Sequence, residues 1–355
     1  MKVLLLIDSR SIPFVDKWYF SIKKRGVDIK VLSFFKSKNI PENDIIYIGT
    51  KLPGHRFKML FSLNKVKKKI NEFSPQIIHA IQVTRQGFLA SLIGRKPFVV
   101  TAIGSDVFIE PKKNKIEKWI VQNCFNRADL ITSMAEHMTE FIKENFKVHE
   151  KKIITFPWGC DTSIFNIDNR RIDETKPVII CTRRMDNELY NQNVILNAAP
   201  EILKKKPDAQ FVFIGGGHLQ EKYMEKAKNA GIYSNVFFPG WQKTEEIAGR
   251  LKESMIFISP ARSDGNNISL NEAMACGCFP ICADIPANRQ WYKENEGGFF
   301  FQSEDHNMLA EKIISAIDNK NLRDKAKSVN ILTVSERGDW NKQSEKIIEI
   351  WRKMI

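Results

Sequence analysis

Short runs of apolar, β-branched residues alternate along this chain with longer stretches in which apolar side chains return every three to four positions. Residues 2–7, 29–34, 77–79, 98–101, 130–132 and 153–156 are of the first kind; 115–125 and 135–145 are of the second. A short continuous apolar run suits a strand buried on both faces, and a helical period between such runs supplies the crossover that joins parallel neighbours. A polar, charge-dense segment, 166–176, then breaks the pattern before Pro177. A second series follows, with strands at 178–182, 210–214, 236–238, 256–259 and 279–282 and helices at 194–204, 220–230 and 270–275. The pattern predicts an α/β fold of two doubly wound, Rossmann-like domains, 1–165 and 177–338, joined by a linker at 166–176. Trp340, Ile347, Ile348, Ile350 and Trp351 fall near helical spacing, so 339–355 should be an amphipathic helix packed back on the body, with the N-terminal domain as its candidate seat.

Composition agrees with two cores: of 355 residues, 43% are hydrophobic and 10% aromatic, which excludes a disordered chain. No apolar run reaches the roughly 18 residues of a membrane span, and the opening run meets Asp8 too soon for a signal peptide, so a cytoplasmic location is expected. Cys124, Cys160, Cys181, Cys276, Cys278 and Cys282 lie among apolar residues with no histidine at ligand spacing and read as buried free thiols. There is no Asp-x-Asp pair and no histidine cluster, so neither a metal nor a cofactor is expected.

The net charge of +14 is unevenly spread: residues 1–165 hold 28 Lys and Arg against 15 Asp and Glu, and the rest is nearly balanced. A basic half calls for an anionic partner, whether nucleic acid, an anionic membrane surface or a phosphorylated acceptor, unless its charge serves only solubility. Nucleic acid is disfavoured because no aromatic interleaving or binding motif accompanies the charge. Residues 55–70 are basic and amphipathic, and either lie on anionic lipid or pack by their apolar face.

The segment 259–277 carries the most chemistry. A strand there ends in a loop with Asp264-Gly265, and a helix begins near Ile268 and Ser269, which places backbone N–H groups at the carboxyl edge of the sheet where α/β proteins hold anions. Glu272 follows on that helix, positioned to accept hydrogen bonds from ribose hydroxyls. Two carboxylates beside a diphosphate are sensible only if they address hydroxyls while the backbone addresses phosphate; otherwise they merely cap a helix. Arg183-Arg184 ends another strand, suited to phosphate oxygens. Gly215-Gly216-Gly217 lets a ligand or a second backbone approach, but lacks the third glycine of a dinucleotide fingerprint. His79, at a strand end, reads as a satisfied structural histidine.

Glu272-Ala273-Met274-Ala275-Cys276-Gly277, after its strand and acidic loop, resembles the signature of the retaining family 4 glycosyltransferases. These have the GT-B fold, in which two Rossmann-like domains with parallel sheets face each other across a cleft. The resemblance implies that Glu272 binds ribose, that Asp264 lies beside the donor sugar where Glu is more usual, and that Gly265, Asn266, Asn267, Ile268, Ser269 and Leu270 hold the donor's phosphates. Residues 157–161 with Phe165 resemble the family's Gly-x-Asp element, Gly240-Trp241 its border to the nucleotide base, and Gly215 its glycine-rich strand end. The family's Arg falls on Arg184 beside Arg183. Its Lys falls near Tyr190 and Asn191, so either one of these donates a hydrogen bond there or the two arginines share the charge. In the N-terminal domain Ile103 replaces the family's His, leaving Asp106 as the nearest polar candidate, with Gly104, Ser105 and the loop Gln82, Thr84, Arg85 on the acceptor side. Asp8-Ser9-Arg10-Ser11 lacks the family's glycine pair.

The implied function is transfer of a hexosyl group from a nucleoside diphosphate sugar to a hydroxyl of a glycan or lipid-linked acceptor. It proceeds with retention and without metal, through Asp264, Arg184, Arg183 and Asp106, in a protein peripheral to the inner membrane face that serves polysaccharide or cell-envelope assembly. An epimerase of the same architecture would need acid/base groups that the surroundings of Ile103 lack. A non-catalytic nucleotide-sugar-binding protein stays open through the absent His and Lys.

Overall fold

A computed structural model describes residues 1–7, 12–33, 39–48 and 63–355. The chain divides into two compact units, Met1–Pro157 with Asn341–Ile355, and Trp158–Trp340. In the first, β1 (Lys2–Leu6), β2 (Asp28–Ser33), β3 (Ile45–Tyr47), β4 (Ile77–Ile81), β5 (Phe98–Ala102), β6 (Leu130–Ser133) and β7 (Ile153–Thr155) form a parallel sheet ordered β3-β2-β1-β4-β5-β6-β7. Every side chain of β4 and β5 is buried, as a sheet covered on both faces requires. In the second, β8 (Val178–Cys181), β9 (Gln210–Ile214), β10 (Val236–Gly240), β11 (Ile256–Ser259), β12 (Phe279–Ala283) and β13 (Phe299–Phe301) are ordered β10-β9-β8-β11-β12-β13. Each order reverses once, between β1 and β4 and between β8 and β11, and such switch points open a crevice outside the carboxyl ends of the strands.

Helices cover both faces of each sheet. In the second unit Phe213, Phe279 and Ile313 gather on one side and Phe257, Met274 and Trp291 on the other. All six cysteines are buried and free, and burial raises the pKa of five of them and lifts the largest share of the rise, leaving unreactive thiols. Among the described residues no group of His, Cys, Asp and Glu is arranged to hold a metal ion, and no helix is long and apolar enough to cross a membrane.

The C-terminal helix Trp340–Arg352 belongs, from Asn341 onward, to the first unit. Arg25 donates to the Asn341 carbonyl at 3.0 Å and pairs with Glu345 at 3.3 Å. Trp351 and Trp18 set their rings edge-on to His79 at 5.5 and 5.4 Å. His79 Nε2 shares a 2.7 Å hydrogen bond with the Thr101 hydroxyl, and burial holds the imidazole down to about 3, so it stays neutral in the core.

Two strands were not anticipated. β3 and β13 are three residues each at sheet edges. Of the basic stretch 55–70, residues 55–62 lie outside the described residues, as do 8–11; the remainder opens the helix Leu63–Phe73, whose Val66, Ile70 and Phe73 are buried. The segment 166–176 is corrected from linker to part of the second unit. Arg170 donates to the carbonyls of Leu251 at 3.1 Å, Ser254 at 2.9 Å and Cys276 at 2.9 Å. These carbonyls close the helices Thr244–Glu253 and Ile268–Ala275, so one guanidinium answers the orphan acceptors and negative ends of both. A charge that looks solvated in sequence is therefore a clasp. The expected Arg170→Met effect is a loss of about 2 kcal/mol from the second unit's stability, read by denaturant unfolding.

Candidate functional site

The carboxyl ends of the switch-point strands β8 and β11 bring together residues 76 or more positions apart. β8 delivers Arg183 and Arg184, and β11 delivers Ser259 and the loop to Asp264. Arg183 is largely buried. Its Nη2 pairs with Asp264 Oδ2 at 2.5 Å, donates to Asn267 Oδ1 at 2.5 Å and approaches Ser259 Oγ at 3.4 Å. Burial works against this charge, but the Asp264 carboxylate offsets it, so the guanidinium titrates above its usual range.

Asn267 is also the cap of the helix Ile268–Ala275, accepting from the Leu270 N–H at 3.1 Å and donating to Ser259 Oγ and Asn288 Oδ1, both at 2.8 Å. The helix ends in a Schellman turn: Gly277, at φ +79°, donates to Met274, and Cys278 donates to Ala273. The Arg170 side chain lies 3.2 Å from where a Cβ on Gly277 would project. Local capping thus explains the glycine of the Glu-Ala-Met-Ala-Cys-Gly run. Glu272 stands half-buried one turn in from the cap.

Arg184 is the accessible arginine, its side chain 55% exposed. It donates to the Tyr190 hydroxyl at 3.0 Å and pairs with Asp186 at 3.4 Å, and both guanidinium carbons lie 5.7 Å from the Tyr190 ring centre. The hydrogen bond to Tyr190 raises its pKa. Asn191 points into the fold. It is buried, with φ +51°; its amide donates to the Ser303 carbonyl at 2.6 Å and its oxygen accepts from Arg262 at 3.0 Å, so both ends serve the fold. Arg262, which also grips Glu304, gives no signal in the sequence beyond its place in the β11 loop.

The backbone run expected to hold phosphate is partly used internally. Asn266 N–H donates to Asp264 Oδ1, Ile268 N–H to the Asn266 carbonyl and Leu270 N–H to Asn267, while the Asn266 side chain binds the Trp158 carbonyl and the Trp291 indole. Gly265 is buried in the loop, and Ser269 faces the Thr182 carbonyl at 3.5 Å. Gly215, at φ +123°, makes room for backbone: a Cβ there would sit 2.7 Å from the Arg183 carbonyl oxygen. Trp241, 66% exposed beyond Gly240, lies where a Cβ on Gly216 would meet its indole nitrogen at 2.5 Å.

In the first unit Asp106 is buried and clamps two loops. Its carboxylate accepts from Val83 N–H at 2.8 Å, Gly104 N–H at 2.8 Å and Ile103 N–H at 3.1 Å, joining the loops after β4 and β5. Burial pushes it up to about 6 even against those donors. Gly104, at φ +132°, adopts a backbone that side chains resist. Gln82, at φ +85°, holds a strained conformation where the chain enters the wide π-helical turn Val83–Gly87. Thr84 is buried too, so Gln82, Arg85 and Ser105 are the polar side chains of these loops that reach the surface.

Residues 163–331 match the family described as glycosyl transferases group 1, and residues 2–135 match that described as glycosyl transferase 4-like. A GDP-mannose-dependent monoacylated alpha-(1-6)-phosphatidylinositol monomannoside mannosyltransferase of Corynebacterium glutamicum is 24% identical over 50% of this chain, which spans about half of that relative's length (47%). The UDP-Gal:alpha-D-GlcNAc-diphosphoundecaprenol alpha-1,3-galactosyltransferase of Escherichia coli is 25% identical over 74% of this chain and 71% of its own. The Anabaena protein HepE, solved in complex with UDP and glucose, superposes with a TM-score of 0.82 at 15% identity, covering 99% of this chain and 100% of that one. That likeness is one of fold.

Two stability outcomes test this geometry. Asp264→Leu should cost about 3 kcal/mol by stranding a buried guanidinium, and adding Arg183→Met should recover most of the loss in denaturant unfolding. The unfolded state binds a proton at His79 below about 6.5 that the native state refuses down to about 3, while native Asp106 keeps its proton up to about 6. The two nearly cancel between pH 4 and 6. Asp106→Asn removes the term favouring acid, so the variant should lose stability on acidification across that window by up to about 1.4 kcal/mol per pH unit more than the parent, read by unfolding at stepped pH.

Proposed function

This chain belongs to the family 4-like glycosyltransferases of the GT-B fold, and from that premise we propose that it moves a hexosyl group from a nucleoside diphosphate sugar to a hydroxyl of a lipid-linked or glycan acceptor, with retention of anomeric configuration. The observation that carries the reading is one buried and one exposed arginine at the end of β8, the buried one paired with Asp264 from the loop after β11, with Glu272 one turn into the adjoining helix.

In this reading the Arg183 charge holds Asp264 in place beside the donor sugar, and the neutralised pair does not repel the phosphates. Arg184, steadied by Tyr190, meets the diphosphate and stabilises the negative charge that grows on it as the sugar departs, the work a divalent cation does elsewhere. Glu272 accepts from the ribose hydroxyls, and Trp241 gives the base an exposed aromatic edge beside Gly240. Gln82, Arg85 and Ser105 address the acceptor. The names of the Corynebacterium and Escherichia relatives each pair a nucleotide sugar with a lipid-borne acceptor, which supports that acceptor class. HepE's complex with UDP and glucose supports a nucleotide-sugar donor.

Calorimetric titration with UDP, GDP and ADP tests the donor half. One nucleotide should bind the parent, and Arg184→Ala and Glu272→Ala should each weaken it by about tenfold or more, about 1.4 kcal/mol. Binding by none of the three, or unchanged binding in both variants, sinks the assignment.

A further inference from the structure

After β5 the chain passes through Gly104 and Ser105, makes the short helix Ser105–Phe108 and the turn Glu110–Lys112, and enters the helix Lys115–Arg127, capped by Asn114. Ile120, Val121, Cys124 and Phe125 form that helix's buried face. Its outer face presents Ile116 at 66% exposure and Trp119 at 58%, with Ile109 at 44% on the turn before. Ile116 and Trp119 are three residues apart and share one face, and Phe88 holds the Trp119 ring edge-on at 6.2 Å. Single exposed apolar residues are ordinary, but a tryptophan and two isoleucines within eleven positions form a patch.

Within residues 109–119 the fully exposed charges are all basic. Lys112, Lys113, Lys115 and Lys118 are all exposed, and the last three make no ion pair among the described residues. The nearby acids Asp106 and Glu117 are buried, leaving Glu110 half-buried as the acid toward solvent. A surface that offers ammonium groups and apolar side chains side by side is matched by a layer with anionic headgroups above acyl chains.

We propose that this patch is where the protein rests on an anionic lipid bilayer, Trp119, Ile116 and Ile109 entering the headgroup boundary while the lysines bind phosphates. The patch grows out of the Gly104–Ser105 loop, and Phe88 directly follows the Val83–Gly87 turn. These are the two loops that the proposed function gives to the acceptor, so docking here would set a lipid-borne acceptor beside them. That purpose rests on the proposed function; the contact itself requires neither donor nor acceptor.

Co-sedimentation of the full chain with vesicles of phosphatidylcholine and phosphatidylglycerol in equal parts, against phosphatidylcholine alone, is the test. The parent should bind the mixed vesicles, less so as salt rises, and leave pure phosphatidylcholine in solution. A lysine near an anionic surface is worth about fivefold in partition, so Lys113→Glu/Lys115→Glu/Lys118→Glu should abolish binding, and Ile116→Ser/Trp119→Ser should weaken it by about tenfold or more. Every changed side chain is exposed, and unchanged nucleotide titration certifies the fold of the variants. Equal binding to both vesicles, no binding by the parent, or variants that bind like the parent each overturn the proposal. So does a fall in the protein's mass in solution on Ile116→Ser/Trp119→Ser with vesicle binding intact, which would make the patch an interface between copies. Vesicle binding that persists while no nucleotide binds would remove the donor assignment alone.

Discussion

A guanidinium shut away from water persists only where anions and acceptor oxygens surround it, and Arg183 meets that condition by drawing Asp264, Asn267 and Ser259 onto one nitrogen. The consequences spread outward. Asn267, held from one side by Arg183, caps the helix Ile268–Ala275 from the other, so ion pair and helix start are one assembly. Because β8 and β11 adjoin in the sheet, the pair also locks the edges of the crevice that the reversed winding opens. What is left over is directional: with Arg183 occupied, Arg184 is the arginine presented to solvent, and the Tyr190 ring between them sets its direction.

The glycines at the end of β9 follow from the same geometry. The turn 183–186 crosses directly above them, Met185 N–H donates to the Gly216 carbonyl at 2.9 Å, and a Cβ on Gly217 would lie 2.3 Å from Met185 backbone. Their smallness serves a second strand's exit from the sheet. Any gain to a ligand comes indirectly, from the turn that carries Arg183 and Arg184 being allowed so close.

The first unit solves a parallel problem with a carboxylate. Asp106 collects three backbone N–H groups from two loops and stays buried, the mirror image of Arg170 collecting carbonyls from two helix ends. Each uses one charged group to satisfy several backbone dipoles at a junction. With Asp106 turned inward, Lys112, Lys113, Lys115 and Lys118 dominate the outward face next to it, and they add to the general excess of positive charge in residues 1–165.

The alternation of apolar runs and helical periods by itself determined two parallel α/β units and most of their strands, because covering a sheet on both faces imposes a local composition that a short window reveals. The segment 267–277 holds a helix that begins and ends where its capping residues stand, since caps involve residues three to five apart. Partnership at long range was another matter. That Arg183 is bound and Arg184 exposed, and that 166–176 is a strap, depends on atoms 81 residues away in the pairs Arg183–Asp264 and Arg170–Leu251, and the Asp106 clamp reaches 23 residues back to Val83. Only tertiary structure decides these, because the free energy of a charged or polar side chain is set by what surrounds it after folding, whereas the period of its neighbours is already present in the chain.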